Sequence, residues 1–281
     1  MTSALETQHA LRDRLKALGS VLIAYSGGVD SAYLAWVAHQ VLGKRMLAVI
    51  ADSPSLARDH FRDAVSFAKD HGIPLEIIAT AEMENPDYVK NDGLRCFHCK
   101  SELFAQMEAA RQRLGFDHLA YGMNLDDRGD FRPGQKAAQN HAVLAPLVDA
   151  GLTKTDIRTL AHEAGLKVWD KPASACLSSR IAYGQPVTTE VLGRIEQGEG
   201  HLKRLGLRQF RVRDHAGLAR IEIAPEEMSK LLSPAMLSEL SAEFRRLGFT
   251  YVTLDCDGYR SGSMNAVLSP ETLSSHATRL S

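Results

Sequence analysis

The chain has 281 residues, which suits one large or two ordinary domains. Hydrophobic residues make up 44% and charged residues 24%, enough apolar mass for a sizeable core, which excludes global disorder. Basic residues number 33 against 34 acidic ones, so the broad basic excess of a chain that coats nucleic acid is missing, while a local basic patch stays compatible. No apolar stretch approaches the roughly 20 residues that a membrane span needs. The N-terminal MTSALETQHALRDRLKAL has helical periodicity and mixed charge, unlike a signal peptide. The expectation is a cytoplasmic protein with no membrane partner.

Ser20–Tyr25 (SVLIAY) is a short apolar run of the type buried on both faces of a parallel sheet. Ser31–Leu42 then places Leu34, Val37, Ala38 and Val41 on one helical face, and Gly43 ends that helix. Arg45–Ala51 reads as a second strand, Ser55–His71 as a second helix and Leu75–Ala79 as a third strand. Lys100–Leu114 is a long helix and His118–Gly122 a fourth strand. After the polar loop Asn124–Lys136 comes another helix, Lys154–Ala164, closed by Gly165. This alternation predicts an α/β fold with a doubly wound parallel sheet, its crossovers collecting the loops after each strand at one edge.

The pattern changes after Tyr183-Gly184-Gln185-Pro186. Thr189–Leu205 is helix-like, but Gly193, Gly198 and Gly200 each cost about 1 kcal/mol relative to Ala, so part of it is expected to be loop. Strands at Gln209–Arg213 and Leu218–Ile223 are joined by a turn at Asp214–Gly217; a helix at Pro234–Leu247 and a strand at Thr250–Leu254 follow. The expected domains are therefore residues 1–184 and a smaller α+β domain, 185–281, with an antiparallel hairpin. The polar Ser269–Ser281 is expected to fray.

Ser26-Gly27-Gly28-Val29-Asp30-Ser31 lies between the first strand and the first helix of the sheet. Two glycines let the backbone turn sharply and approach a ligand, and the helix behind them offers unpaired N–H groups with about half a positive charge. Ser26 and Ser31 add hydroxyls, so the loop accepts an anion the size of pyrophosphate. It is not a Walker A loop, because no Lys follows the glycines, nor a G-x-G-x-x-G dinucleotide fingerprint. A plain strand–helix turn with a capping Ser or Asp is the bland alternative. Asp52-Ser53-Pro54-Ser55 follows the second strand, where a nucleoside would lie in an open α/β sheet. Gly122-Met123-Asn124-Leu125-Asp126-Asp127 follows the fourth: a small residue that lets adenine approach, and carboxylates within reach of a metal ion or ribose. A solvated turn is the alternative for Asp126 and Asp127.

The four cysteines are too few for a disulfide scaffold. Cys96-Phe97-His98-Cys99 is a C-x-x-C on a loop entering a helix, without the second C-x-x-C or His pair of a structural zinc site. With the remote Cys176 it makes a three-thiolate set, which leaves one iron of a [4Fe–4S] cluster open; two buried thiols without a ligand are the alternative. Cys176 is flanked in sequence by Lys171 and Arg180, cations that would lower a thiol pKa; a buried packing cysteine is the other possibility. Cys256, in LDCDG, reads as a strand-end structural residue. Arg211 and Arg213 alternate on one strand and so share a face, where two guanidiniums make a fork for a phosphate, or a solvated strand face.

SGGVDS resembles the pyrophosphate loop of the ATP pyrophosphatase (PP-loop) superfamily. Together with RCFHCK, GMNLDDRGDFRPG, WDKPASACLSSRIAYG, RQFRVRDHAGLARIEI and DGYRSGSMN, it is similar to one branch of it over nearly the whole chain: the LarE-type sulfur transferases of nickel-pincer cofactor biosynthesis. The resemblance implies that ATP is cleaved between its α- and β-phosphates to adenylate a carboxylate of pyridinium-3,5-biscarboxylic acid mononucleotide, which then becomes a thiocarboxylate. It implies ATP on Ser26, Gly27, Gly28, Asp30, Ser31, Ser53, Gly122, Asp126 and Asp127, with Mg²⁺ on Asp30. It further implies Cys176 as the sulfur-bearing catalytic residue, and Arg211, Arg213, Glu199 and Glu222 about the substrate phosphate. In one type of the family a lone cysteine gives up its sulfur and becomes dehydroalanine; in the other, three cysteines hold a [4Fe–4S] cluster. Cys96 and Cys99 beside Cys176 resemble the cluster type. A homo-oligomer, with six chains as the candidate number, is also implied. The rivals are a cluster-dependent tRNA thiolase, which the even charge disfavours, an ammonia-using PP-loop enzyme, and a nucleotide-binding regulator without catalysis.

Overall fold

The computed structural model describes residues 4–128, 133–172, 175–260 and 263–264. In chain order the elements begin with α1 (Ala4–Leu18), β1 (Val21–Ala24), α2 (Val29–Leu42), β2 (Met46–Asp52), α3 (Arg58–Asp70) and β3 (Leu75–Ala79). Then come α4 (Pro86–Val89), α5 (Arg95–Leu114), β4 (His118–Tyr121), α6 (Pro133–Asn140), α7 (Pro146–Asp149) and α8 (Lys154–Glu163). The last are α9 (Thr189–Arg204), β5 (Phe210–His215), β6 (Leu218–Ile223), α10 (Pro234–Arg246) and β7 (Tyr251–Leu254). Among the described residues, one compact unit takes in the chain up to Glu82 and again from Cys96, while the other takes Met83–Arg95 and the chain from Ala175 onward. Compactness thus divides the chain before Cys176 rather than after Gly184, and lends the second unit a short excursion from the first.

The first unit is the α/β fold that the alternation predicts. Its sheet is parallel, in the order β3-β2-β1-β4, so the loops after all four strands share one edge. Strand periodicity sorts the core. Val21, Ile23, Met46, Ala48 and Ile50 pack with Leu11 and Leu15 of α1, the apolar length of α2, and Ile157 and Leu160 of α8. Leu22, Ala24, Val49 and Leu119 face the other way, onto Phe104, Met107 and Ala110 of α5 and Ala137 of α6. Helix α2 has Val29, Ala32, Tyr33, Leu34, Ala35, Val37 and Ala38 all buried, which fixes its N-terminus, and the loop before it, against the sheet. Among the described residues, the segment expected to be polar loop, Asn124–Lys136, holds a 3₁₀ turn at Leu125–Asp127 and the start of α6.

The second unit is built on the β5–β6 hairpin, with β7 parallel to β6 on its far side. Ala216 and Gly217 carry φ of +55° and +90°, the two consecutive positive angles of a tight two-residue hairpin turn, shorter than the turn expected at Asp214–Gly217. Helix α9 runs unbroken through its three glycines, against the expectation of a partial loop. At Gly198 a Cβ would stand 3.1 Å from a ring carbon of Phe244, so the glycine makes room for an aromatic of the core, and that packing outweighs its helix propensity. The excursion is tied in by Asn91, fully buried at φ +59°, whose amide donates to the carbonyls of Ala182 (2.9 Å) and Gln185 (2.8 Å). Ser269–Ser281 lies outside the described residues.

Candidate active site

β1 delivers the chain into Ser26-Gly27-Gly28, and α2 starts at Val29. Gly27 has φ +70°, and a Cβ there would come within 2.5 Å of the Ala64 Cβ on α3, so a side chain is excluded twice over. Gly28 is the N-cap of α2 and supplies no side-chain cap, which leaves the first-turn N–H groups for an anion or water. Ser31 folds the loop onto itself: its hydroxyl donates to the Gly28 carbonyl (3.2 Å) and accepts from the Ser26 N–H (3.2 Å). Of the two serines read as ligand donors, the buried Ser31 is therefore engaged with the loop, and the exposed Ser26 lies beside it at 3.1 Å.

Asp30, in the first turn of α2, accepts from Lys154 Nζ at 2.5 Å through Oδ2, while its Oδ1 is buried without a hydrogen-bond partner. Burial pushes the Asp30 pKa up against the pull of Lys154, the charge of Asp127 adds to the rise, and the nearby Asn124 side chain pulls it down more weakly without reaching hydrogen-bond distance. Asn124 caps the turn after β4, its side chain accepting from the Asp126 N–H (2.9 Å) while Asp127 accepts from the Asn124 N–H (3.2 Å). Asp126 in turn accepts the backbone N–H of Lys154 at 2.8 Å. Thr153 and Asp156 close a capping box at the same helix start. Lys154 thus stands beside the phosphate loop, a placement with no counterpart among the residues that the sequence singles out. Its only local signal is that capping box, T-x-x-D, which says nothing of Asp30.

Among the described residues, no group of three or more His, Cys, Asp or Glu is gathered to hold a metal ion. Mg²⁺ needs no such cage, since one or two carboxylates and the substrate phosphates suffice. The buried, unpartnered Oδ1 of Asp30 fits that requirement.

Two residues read as nucleoside contacts have other work in the structure. Ser53, just past β2, donates its hydroxyl to the buried Glu82 and accepts the Ser55 N–H at 3.0 Å. A Cβ on Gly122 would meet Ser31 N at 2.7 Å and Ser31 Cα at 2.8 Å. Its bare α-carbon is thus required by the first turn of α2, a packing reason distinct from the adenine approach expected of it.

The Cys96–Cys99 pair lies in the first turn of α5 rather than on a loop before it, so the two positions, three apart, share a helix face. Cys176 belongs to the second unit. Arg180, 1% exposed, holds the Cys176 backbone in place. It donates to the carbonyls of Ala175 (2.6 Å) and Cys176 (2.9 Å) and grips Glu199 with Nε (3.0 Å) and Nη2 (3.3 Å). The buried Arg95 donates to the Ser178 carbonyl (2.8 Å) and to the Asn91 side chain (2.5 Å). Burial opposes ionisation of the Cys176 thiol, but Arg95, the Ser178 hydroxyl 3.0 Å from the sulfur, and Arg180 together hold its pKa below the ordinary thiol value. Of the two cations that flank Cys176 in sequence, Arg180 acts on the thiol, whereas Lys171 meets Asp63 at 3.5 Å and Arg95 supplies the second charge. Residues 173 and 174 of the cysteine loop lie outside the described set.

On β5, Arg213 is buried and donates to Glu222 (2.7 Å), Ser263 Oγ (3.1 Å) and the Ser179 carbonyl (3.3 Å). Arg220, unnoticed in the sequence, stands opposite Arg213 in register and reaches the other oxygen of the fully buried Glu222 at 3.2 Å. Arg211 is half-buried over the Tyr259 ring at 5.1 Å. Its pKa is lowered by burial and by the charge of Arg180.

The sequence model of the NAD synthase family matches residues 5–118, the stretch that contains the phosphate loop. An uncharacterized protein of Synechocystis is 44% identical over 258 residues, 92% of this chain and 96% of its own. Pyridinium-3,5-bisthiocarboxylic acid mononucleotide synthase of Lactiplantibacillus plantarum is 34% identical over 265 residues, 94% of this chain and 95% of its own. The tRNA-specific 2-thiouridylase MnmA of Rickettsia africae is 28% identical over 193 residues, covering 55% of this chain and 52% of its own. No helix among the described residues is long and apolar enough to cross a membrane. A phosphate loop on a parallel sheet and a likeness to the synthase that runs almost end to end lead to one assignment: the chain belongs to the LarE-type sulfur transferases of the PP-loop superfamily and is an ATP-using enzyme of that class.

Proposed function

We propose that this enzyme adenylates a carboxylate of pyridinium-3,5-biscarboxylic acid mononucleotide and converts it to the thiocarboxylate, with sulfur handled at Cys176. The observation that carries the reading is the setting of Cys176: its sulfur 3.0 Å from the Ser178 hydroxyl and its backbone carbonyl held by the buried Arg180. The substrate oxygen attacks the α-phosphorus of ATP, and the bond to the bridging oxygen breaks with its electron pair leaving on pyrophosphate. N–H groups at the start of α2 stabilise that leaving charge. Asp30 would hold Mg²⁺, which screens the phosphates when bound. Arg211, crowded by Arg180, is relieved by an anion beside it, which supports it as a substrate-phosphate ligand with Arg213; Glu222 orients Arg213, and Glu199 holds Arg180 beside them. Ser53, Gly122, Asp126 and Asp127 complete the nucleotide edge of the first unit.

The sulfur source is the second part of the proposal. Cys96, Cys99 and Cys176 are thiols, the donor chemistry that a [4Fe–4S] cluster takes. Such a cluster, when bound by three thiolates, keeps one iron position open to sulfide. The Cys176 environment also suits a second reading, in which its own thiolate displaces AMP from the acyl adenylate and is then consumed. Iron and acid-labile sulfide assays on anaerobically prepared protein, followed by intact mass after turnover, separate the two. The cluster reading expects iron–sulfur absorbance that Cys96→Ala abolishes, and repeated turnovers with added sulfide. A single turnover that leaves Cys176 lighter by about 34 Da, the mass of hydrogen sulfide, establishes the sacrificial route instead. A cytoplasmic homo-oligomer, of six chains, belongs to the same proposal, and sedimentation velocity reads its mass. Salt-sensitive binding of tRNA would turn the reading toward a tRNA thiolase.

A further inference from the structure

We propose that Arg220 and His215 complete, with Arg213, a pocket for the phosphate of the mononucleotide substrate, and that these two residues make the enzyme prefer a nucleotide to its nucleoside. Along β5, Arg211, Arg213 and His215 alternate onto one face, and the register sets Arg220 of β6 directly across from Arg213. His215 is the diagonal neighbour of Arg220 on that face, a separation of about 7–8 Å that long side chains bridge. Three nitrogens there, Arg213 Nε, Arg220 Nε and His215 Nε2, are buried and have no hydrogen-bond partner among the described residues. Buried polar groups are nearly always paired, because an unmade bond in the interior is costly. Three unpaired nitrogens on one sheet face therefore mark a place where an acceptor belongs.

The outer nitrogens of both guanidiniums are already held. Arg213 donates to Glu222 (2.7 Å), Ser263 Oγ (3.1 Å) and the Ser179 carbonyl (3.3 Å). Arg220 reaches Asp255 at 2.9 Å and Glu222 at 3.2 Å, so both side chains are oriented before a ligand arrives. The other contact of Arg220 Nη2 is the Met264 thioether at 3.4 Å, a weak acceptor for a charged donor. The Arg220 side chain is 26% exposed, so the face opens to solvent beside it. A phosphate monoester brings three charged non-ester oxygens, one for each unpaired nitrogen, whereas a ring carboxylate brings two. His215 adds a link to protons. Burial, then the charges of Arg220 and Arg213, push its pKa down against the opposing pull of Asp214 and Glu222, and β7 brings Tyr251 to the same cross-strand row. A phosphate dianion beside the ring reverses that push, so its binding draws a proton onto His215.

This inference rests on the substrate proposed above, and the test keeps the two apart. Titration calorimetry at pH 7 measures binding of three probes to wild type, Arg220→Met and His215→Gln. The probes are pyridinium-3,5-biscarboxylic acid mononucleotide, its nucleoside without the phosphate, and inorganic phosphate. Each variant is expected to bind the mononucleotide at least tenfold more weakly and the nucleoside within twofold of wild type. Wild type should also take up about 0.3 proton more per mononucleotide than His215→Gln, read from the heats in two buffers of different ionisation enthalpy. Equal losses for nucleotide and nucleoside would assign the residues a structural role and overturn the proposal, as would unchanged mononucleotide affinity. Equal proton uptake would remove His215 from the pocket. Wild type that binds inorganic phosphate but not the mononucleotide, with the phosphate lost in Arg220→Met, keeps the pocket and overturns the substrate; wild type that binds neither overturns the pocket. If Arg220→Met melts well below wild type, Arg220→Lys, which keeps the charge beside Glu222 and Asp255 but removes the ε N–H, serves in its place under the same criteria.

Discussion

Substituting Gly122 by Ala tests whether the end of β4 and the start of α2 are locked together. The new Cβ would stand 2.7 Å from Ser31 N, 2.8 Å from Ser31 Cα and 3.1 Å from the Asp30 carbonyl carbon. Non-bonded carbons rest at about 3.5–4.0 Å, so the overlap is several tenths of an ångström against backbone atoms that cannot rotate aside. β4 is held in register by β1, with Ala24 opposite Tyr121, and by the Tyr121 N–H on the Leu144 carbonyl at 3.0 Å. The first turn of α2 must therefore give, and it carries the anion-binding N–H groups and Asp30. Overpacking of this kind costs about 1–3 kcal/mol. Urea unfolding should show a loss of that size, and calorimetric titration should show ATP affinity reduced at least tenfold. Wild-type affinity together with a wild-type unfolding midpoint would refute the claim that Gly122 spaces the phosphate loop.

Two further outcomes follow from the second unit. Arg180→Ala leaves Glu199 without its bidentate partner and frees the carbonyls of Ala175 and Cys176, a change worth about 3–5 kcal/mol for a broken buried pair. Hydrogen exchange should accelerate at least 100-fold at the Val212 amide, which donates to Glu199, and unchanged protection there would refute it. Cys176 should be alkylated by iodoacetamide with a half-maximal pH below the ordinary thiol value of about 8.5, and Arg95→Met should move that midpoint upward. The sign follows from the anion: removing a cation destabilises the thiolate, so a higher pH is needed to form it. A midpoint unmoved by Arg95→Met would show that the guanidinium does not act on the sulfur.

The sheet was legible in the sequence because its signals are local. β3 falls where the apolar run LEIIA predicts it, and Gly43 ends α2 where its φ of +57° requires glycine. The phosphate loop was legible for the same reason, since its glycines encode main-chain geometry. What escaped is whatever depends on partners remote in sequence. Lys171 lies five residues from Cys176 yet meets Asp63, whereas Arg95 acts on the same thiol from 81 positions away. Lys154 reaches Asp30 across 124 residues. Gly198 looked like a helix breaker because the ring of Phe244 that fills its missing Cβ comes from α10.

The hairpin of the second unit shows where folding stability and function diverge. Arg213 and Arg220 stand directly opposite each other on β5 and β6, a like-charge pair that opposes strand pairing. Glu222, fully buried, bonds both at 2.7 Å and 3.2 Å and makes the register tolerable. A fold under no other demand would reach the same pairing with apolar residues, since replacing a buried ionic triad by well-packed hydrophobic side chains is neutral or stabilising by about 1–4 kcal/mol. Arg180 and Glu199 repeat the arrangement beside Cys176. Two buried guanidinium–carboxylate systems in one small unit are therefore poorly explained by stability alone. Their physical sense under the proposed function is a rigid, already desolvated set of guanidiniums, which would orient an anionic nucleotide without reorganising when it arrives.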